Sequence, residues 1–136
     1  MTATAPELSG PAKIDSVSRT LVLKVTAGAE APERCAQAFT VAAVAAASGV
    51  EVSLWLTGEA AWFAVAGRAE EFVLALSAPL ADLLAAVLAT GTVTLCSQCA
   101  ARREIGEADV LPGIRLAGAA VFVTEILAEH AQALVY

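Results

Sequence analysis

Apolar residues fall along this chain in two rhythms, short β-branched runs and longer Ala- and Leu-rich stretches that repeat every three or four residues. Leu21-Val-Leu-Lys-Val25, with one polar interruption, predicts a first strand starting near Arg19 or Thr20. Pro32 and Glu33 suit a first helical turn, and the Ala-rich segment they open runs to Ser48 before Gly49 closes it. Val50 to Leu56 alternates at first and then turns wholly apolar, as a buried strand does. Gly58 to Gly67 reads as a short helix, and Phe72 to Leu76 as a strand or an ordered loop.

Pro79 followed by Leu80, Leu83, Leu84, Val87 and Leu88 is the clearest amphipathic helix, ended by Gly91. The strand Thr92 to Leu95 stops at Cys96, and a helix-compatible segment continues to Gly106. Glu107 to Leu116, interrupted by Pro112 and Gly113, predicts a loop or a broken short element. Ala117 to Glu129 predicts a last helix, and Ala133 to Tyr136 a last strand. This alternation implies an α/β fold: right-handed crossovers and a parallel sheet with helices on both faces. Residues 1–18 show no period and read as a flexible N-terminal tail, leaving residues 19–136 as one domain.

Composition adds an expectation of self-association. Apolar residues make up 58% of the chain and mean hydropathy is +0.71, more than a monomer of 136 residues needs for its interior. A membrane span is not expected, because Phe39 to Val50 is short and ends at Glu51, while Leu80 to Leu95 contains Asp82. The first residues lack the blocks of a secretory signal, so a cytoplasmic location is expected. A net charge of −6, with basic residues scattered apart from Arg102 and Arg103, argues against direct nucleic-acid binding. Three cysteines are an odd number for a disulfide scaffold, so reduced thiols are expected.

The chemistry concentrates at the strand-to-helix junction. A cysteine at the carboxyl end of a parallel strand lies where open α/β sheets place ligands, and a helix starting beside it favours the thiolate. Cys96 is that cysteine, and helical spacing puts Arg102 and Arg103 three and four residues after Cys99, where they add positive potential. Cys96 and Cys99 have three readings: a reactive thiol pair, half of a zinc site, or two buried small hydrophobes. Zinc needs two more ligands, and only the distant Cys35 and His130 remain, so it is the weakest. Position and the arginines favour reactivity.

Other candidates reduce to simpler roles. Cys35 reads as a packed core thiol, and His130, the sole histidine, as a solvated or capping residue. The pairs Glu125 with Glu129 and Glu107 with Asp109 have the carboxylates to bind a metal in principle, but read more simply as solvated faces. No Gly-rich dinucleotide or nucleotide-phosphate motif occurs. Trp62 and Phe63 suit core or subunit contact, or a cover over the mouth of a thiol site. The rival to thiol chemistry is a non-catalytic oligomeric module that binds a partner or small ligand near these two aromatics.

The order of elements, together with Leu95-Cys96-x-x-x-Ala-x-Arg102-Arg103 and the closing Gln132-Ala-Leu-Val-Tyr136, resembles the DsrE/DsrF family of small sulfur-handling proteins, with its TusD-like sulfur-relay members. The likeness spans Leu21 to Tyr136. It implies a three-layer α/β/α fold with a mainly parallel sheet of about five strands, homotrimers or homohexamers, sulfur donor or acceptor proteins as partners, and sulfur transfer without a cofactor. It also implies that Cys96 holds a persulfide and that Arg102 and Arg103 match the arginine pair that follows it. The family's usual glycine after the arginines is Glu104 here, and Cys99 is additional to the TusD-type motif. A second thiol of this kind can attack the persulfide, release sulfide and leave a disulfide, which would make a persulfide reductase or thiol-disulfide redox protein of the same scaffold.

Overall fold

Alternation along each strand decides which helix layer its side chains meet. The computed structural model describes residues 19–136, so the tail expected over residues 1–18 lies outside the described residues. Five strands, β1 (Thr20–Val25), β2 (Glu51–Leu56), β3 (Thr92–Cys96), β4 (Ile114–Ala117) and β5 (Ala131–Val135), form one sheet in the order β4-β3-β2-β1-β5. Every pairing in it is parallel. The expected α/β sheet is therefore present.

One face of the sheet carries Leu23, Val25, Val52, Leu54, Leu56, Val93 and Leu95. These pack under α1 (Pro32–Ala47) and α2 (Leu80–Thr90), which contribute Ala38, Phe39, Ala42, Leu84 and Val87 to the same core. The alanines of α1 let its backbone lie close to the strands, and each large aliphatic side chain buried here stabilises the fold by about 1.5–3 kcal/mol. The opposite face carries Ser53, Trp55 and Thr94 and is covered by α4 (Ala119–Ile126). Phe122 of α4 meets the Trp55 ring edge-on at 5.3 Å. Helices thus lie on both faces of the sheet.

Several boundaries differ from the pattern-based expectation, each for a local reason. The helix after Cys96, α3 (Ser97–Arg102), stops short of Gly106 because Glu104 turns left-handed at φ 54°. Its last carbonyls are closed by the Ile105 and Glu104 amides, which reach Ala100 at 2.9 Å and Ala101 at 3.1 Å. The broken segment around Pro112 contains β4, launched by Gly113 at φ 93° and paired to β3 from Ile114 onward. Gly58–Ala64 is a 3₁₀ helix, and Phe72 to Ala78 is a loop. At its far end α4 gives way to β5 through His130, left-handed at φ 67°. No helix of the described residues is long and apolar enough to cross a membrane.

Candidate functional site

β3 delivers Cys96 to the carboxyl edge of the sheet, and α3 begins at the next residue, so Cys96 is both the last strand residue and the helix N-cap. Its backbone there is extended, as at a helix N-cap, and the amides of the first helical turn begin at the next residue. Burial of the half-exposed Cys96 thiol opposes ionisation. Hydrogen bonds from the Cys99 amide and thiol and the Gln98 amide, with the positive charge of Lys24, outweigh it and hold the thiol below its ordinary range. The structure therefore brings Cys96 and Cys99 together.

Cys99 lies deeper, 9% exposed and part of the main core. Its sulfur accepts a hydrogen bond from the Gly58 amide at 3.2 Å. Gly58 can point its N–H inward because it is left-handed at φ 52°, and a Cβ there would lie 2.6 Å from the Thr26 carbonyl oxygen. The loop after β2 is clamped to β1 as well. The Thr57 hydroxyl and amide both donate to the Val25 carbonyl at 3.0 Å.

The two arginines have different settings. Arg103 makes an ion pair with Glu59, donating from two nitrogens at 3.2 and 2.8 Å, and also reaches the Cys99 carbonyl at 3.2 Å. It braces α3 against the 3₁₀ segment. Arg102 is exposed at the end of α3. The basic group whose charge acts on Cys96 is Lys24 of β1, whose ammonium rests 4.7 Å from the centre of the Phe122 ring.

Phe63 is core, meeting Phe39 and Phe72 edge-on at 6.1 and 5.6 Å. Trp62 is half-exposed under the Arg68 guanidinium at 4.3 Å. Together they line a cleft of about 390 Å³ with Ala29, Glu59, Arg68, Glu71 and Phe72. Neither cysteine is among those residues, and Glu59 of the lining pairs with Arg103 of the thiol-bearing segment.

The remaining candidates are dispersed. Cys35 is fully buried, and burial, with the nearby Glu30 charge, pushes its thiol up to about 12. His130 is exposed at the entry to β5. Asp109 accepts the Gly106 amide at 2.9 Å as a local cap. Glu125 corrects the reading of a solvated face: its carboxylate accepts from Ser53 at 2.6 Å and from Trp55 at 3.0 Å, and pairs with Arg115. Burial opposes its ionisation, but those hydrogen bonds and the Arg115 charge hold its carboxyl below the usual range. Among the described residues no group of three or more His, Cys, Asp or Glu is placed to hold a metal ion.

Lys24 and Gly58 are thus the residues around the two thiols that pattern reading passes over. The only signal for Lys24 is the single polar interruption of an otherwise apolar strand.

Comparison with known proteins bears on this arrangement. A model of the DsrE/DsrF-like family matches residues 20–133. The crystal structure of the ychN protein from E. coli superposes with a TM-score of 0.72 at 15% identity, covering 88% of this chain and all 100% of that one. A protein of unknown function, MTH1491 from Methanobacterium thermoautotrophicum, superposes with a TM-score of 0.58 at 8% identity, covering 88% of this chain and 99% of that one. At these identities the two structures speak for the fold. No curated protein matches the chain.

Proposed function

The chain belongs to the DsrE/DsrF-like family, and on that footing we propose that it is a sulfur-relay protein that carries sulfane sulfur on Cys96, with Cys99 as resolving thiol. The observation that carries this reading is the setting of the Cys96 sulfur, half-exposed at a strand end and met by the Gln98 and Cys99 amides, the Cys99 thiol and the Lys24 charge. Such a sulfur is both reachable and more easily ionised than an ordinary thiol, the two properties a persulfide acceptor needs.

In the loading step the Cys96 thiolate attacks the outer sulfur of a donor persulfide. A new S–S bond forms on Cys96, the donor's S–S bond breaks, and the donor leaves as a thiolate. Delivery to an acceptor thiolate repeats the exchange in reverse. In the resolving step Cys99 loses its proton and attacks the inner sulfur of the Cys96 persulfide. That forms a Cys96–Cys99 disulfide and expels the outer sulfur as hydrosulfide, reduced by the two electrons the thiols give up. An external dithiol then returns the pair to its reduced form.

Within this reading Arg103 holds α3 in place through Glu59 and the Cys99 carbonyl, and the exposed Arg102 adds positive potential at the same end. The test is mass spectrometry of the reduced protein after exposure to a persulfide donor, with thiols blocked before digestion. One added sulfur on Cys96, lost in Cys96→Ser and longer-lived in Cys99→Ser, is expected. Equal sulfur uptake by Cys96→Ser overturns the assignment.

The same proposal includes self-association and a reducing, cytoplasmic setting in which both thiols stay available. Val121, Val123 and Leu127 on or just after α4, and Val135 on β5, stand exposed, which supports a homo-oligomer, a trimer or hexamer, that covers some of them. Light scattering that finds a monomer at micromolar concentration contradicts this part.

A further inference from the structure

Among the described residues Lys24 is the one basic side chain that is partly buried and yet has no carboxylate within salt-bridge distance. The comparable cations are neutralised, Arg103 by Glu59 and Arg68 by Glu71, and the more exposed Arg115 by Glu125. A cation drawn out of water without a counter-ion is costly, and an aromatic face offsets only part of that cost. Its surroundings therefore call for an anion.

Register puts one candidate on the same sheet face. Lys24 pairs with Trp55, and Trp55 with Thr94, so the three form one row on the sheet face that α4 covers. Cys96 lies two residues beyond Thr94 on β3, which the strand alternation returns to that face. Two strand spacings, roughly 10 Å, and the two-residue offset, roughly 7 Å, put the Lys24 and Cys96 backbones about 12 Å apart on the diagonal, a span that the lysine stem and the cysteine side chain narrow from either end. Phe122, itself braced on Trp55, supports the ammonium from the α4 side.

From this juxtaposition we propose that Lys24 is the counter-cation of the Cys96 sulfur, stabilising its anionic forms and biasing the site toward anionic reagents. As it concerns the persulfide, this rests on the sulfur-carrier reading; as it concerns the thiolate, it rests on Cys96 alone. Arginine spacing points instead to Arg102 and Arg103, but the Arg103 charge is taken up by Glu59.

The groups facing Cys96 limit what else can set its titration. They are Cys99 and the Gln98 amide from α3 and Lys24 from β1. Farther along the same face stands the neutralised Glu125–Arg115 pair of α4 and β4, while Glu59 of the 3₁₀ segment is held by Arg103. Lys24 is thus the unneutralised charge on this sheet face, while Arg102, also without a carboxylate partner among the described residues, is exposed at the far end of α3.

The experiment follows Cys96 alkylation in the full chain by peptide mass spectrometry, using neutral iodoacetamide and anionic iodoacetate across a pH series. Lys24→Met, which keeps an apolar stem on Phe122, is expected to raise the pH midpoint and to lower the iodoacetate-to-iodoacetamide rate ratio several-fold. Lys24→Arg is expected to keep both. An unchanged midpoint and ratio in Lys24→Met overturns the proposal, and Lys24→Gln carries the same test should the Met variant not fold. Persulfide uptake, measured on the same proteins, separates the two readings. Lys24-dependent alkylation without sulfur uptake removes the carrier function and keeps the counter-cation, and sulfur uptake with no Lys24 dependence does the reverse.

Discussion

The Gly58 amide donates to the Cys99 sulfur across 3.2 Å, tying the turn after β2 to the helix that follows β3. The second thiol is thereby held by backbone from the 3₁₀ segment after β2, and its position depends on a residue 41 places earlier in the chain.

Gly58→Ala tests that tie. The new Cβ would sit 2.6 Å from the Thr26 carbonyl at a left-handed φ of 52°, so the variant loses about 1–3 kcal/mol of stability. The displaced amide also frees Cys99. Urea unfolding reads the first effect, and faster alkylation of Cys99 in the native state reads the second.

Cys35 predicts an alkaline weakness. Its folded-state value of about 12 lies above the ordinary thiol value of 9.0, so below pH 9 both states hold the proton and the contribution is constant. As pH rises from 9 toward 12 the unfolded chain ionises first, and stability falls by up to about 1.4 kcal/mol per pH unit. Denaturation midpoints measured across that window should drop in the wild type and flatten in Cys35→Ala.

Glu125 predicts the opposite dependence. Its carboxyl is held low in the folded state, so its stabilisation is complete above the ordinary carboxylate value and is lost as pH falls through the folded one. Glu125→Ala leaves Ser53, Trp55 and Arg115 without their acceptor and costs about 2–3 kcal/mol at neutral pH. Glu125→Gln should shrink the acid-side loss, as thermal unfolding between neutral and acid pH will read.

Glu104 sits left-handed at φ 54°, at the position that closes α3. Non-glycine residues are strained there. Glu104→Gly should therefore stabilise the protein by about 0.5–1 kcal/mol after the extra freedom of glycine in the unfolded chain is counted, seen as a higher urea midpoint with an unchanged slope. A loss of stability would show that the Glu104 side chain offsets its backbone strain.

Local rules made much of the fold legible. Pro32 and Gly49 bracket α1, the Leu80 to Leu88 period marks α2, and β-branched runs mark β1 to β3. They failed where an element is short or its partner is distant. β4 has four residues behind Pro112 and Gly113, and only its pairing with Val93 to Cys96 makes it a strand. Cys96 and Cys99 were visible because a single turn of helix joins them. Lys24 was not, since its nearness to Cys96 depends on β2 lying between β1 and β3. Glu125 looked like a water-facing residue until α4 was laid across the sheet, where Ser53 and Trp55 wait for it.

The place of β5 beside β1 joins Thr20 to Ala131, nearly the whole described length apart, and closing so long a loop is a slow event in folding. Phe122, which supports Lys24, lies in the crossover that this pairing anchors. The thiol turn of α3 is local and can form early, whereas its cation is set in place only when the last strand docks. A nascent or partly unfolded chain therefore presents Cys96 without its charge partner, and full acidity of that sulfur reports on completed folding.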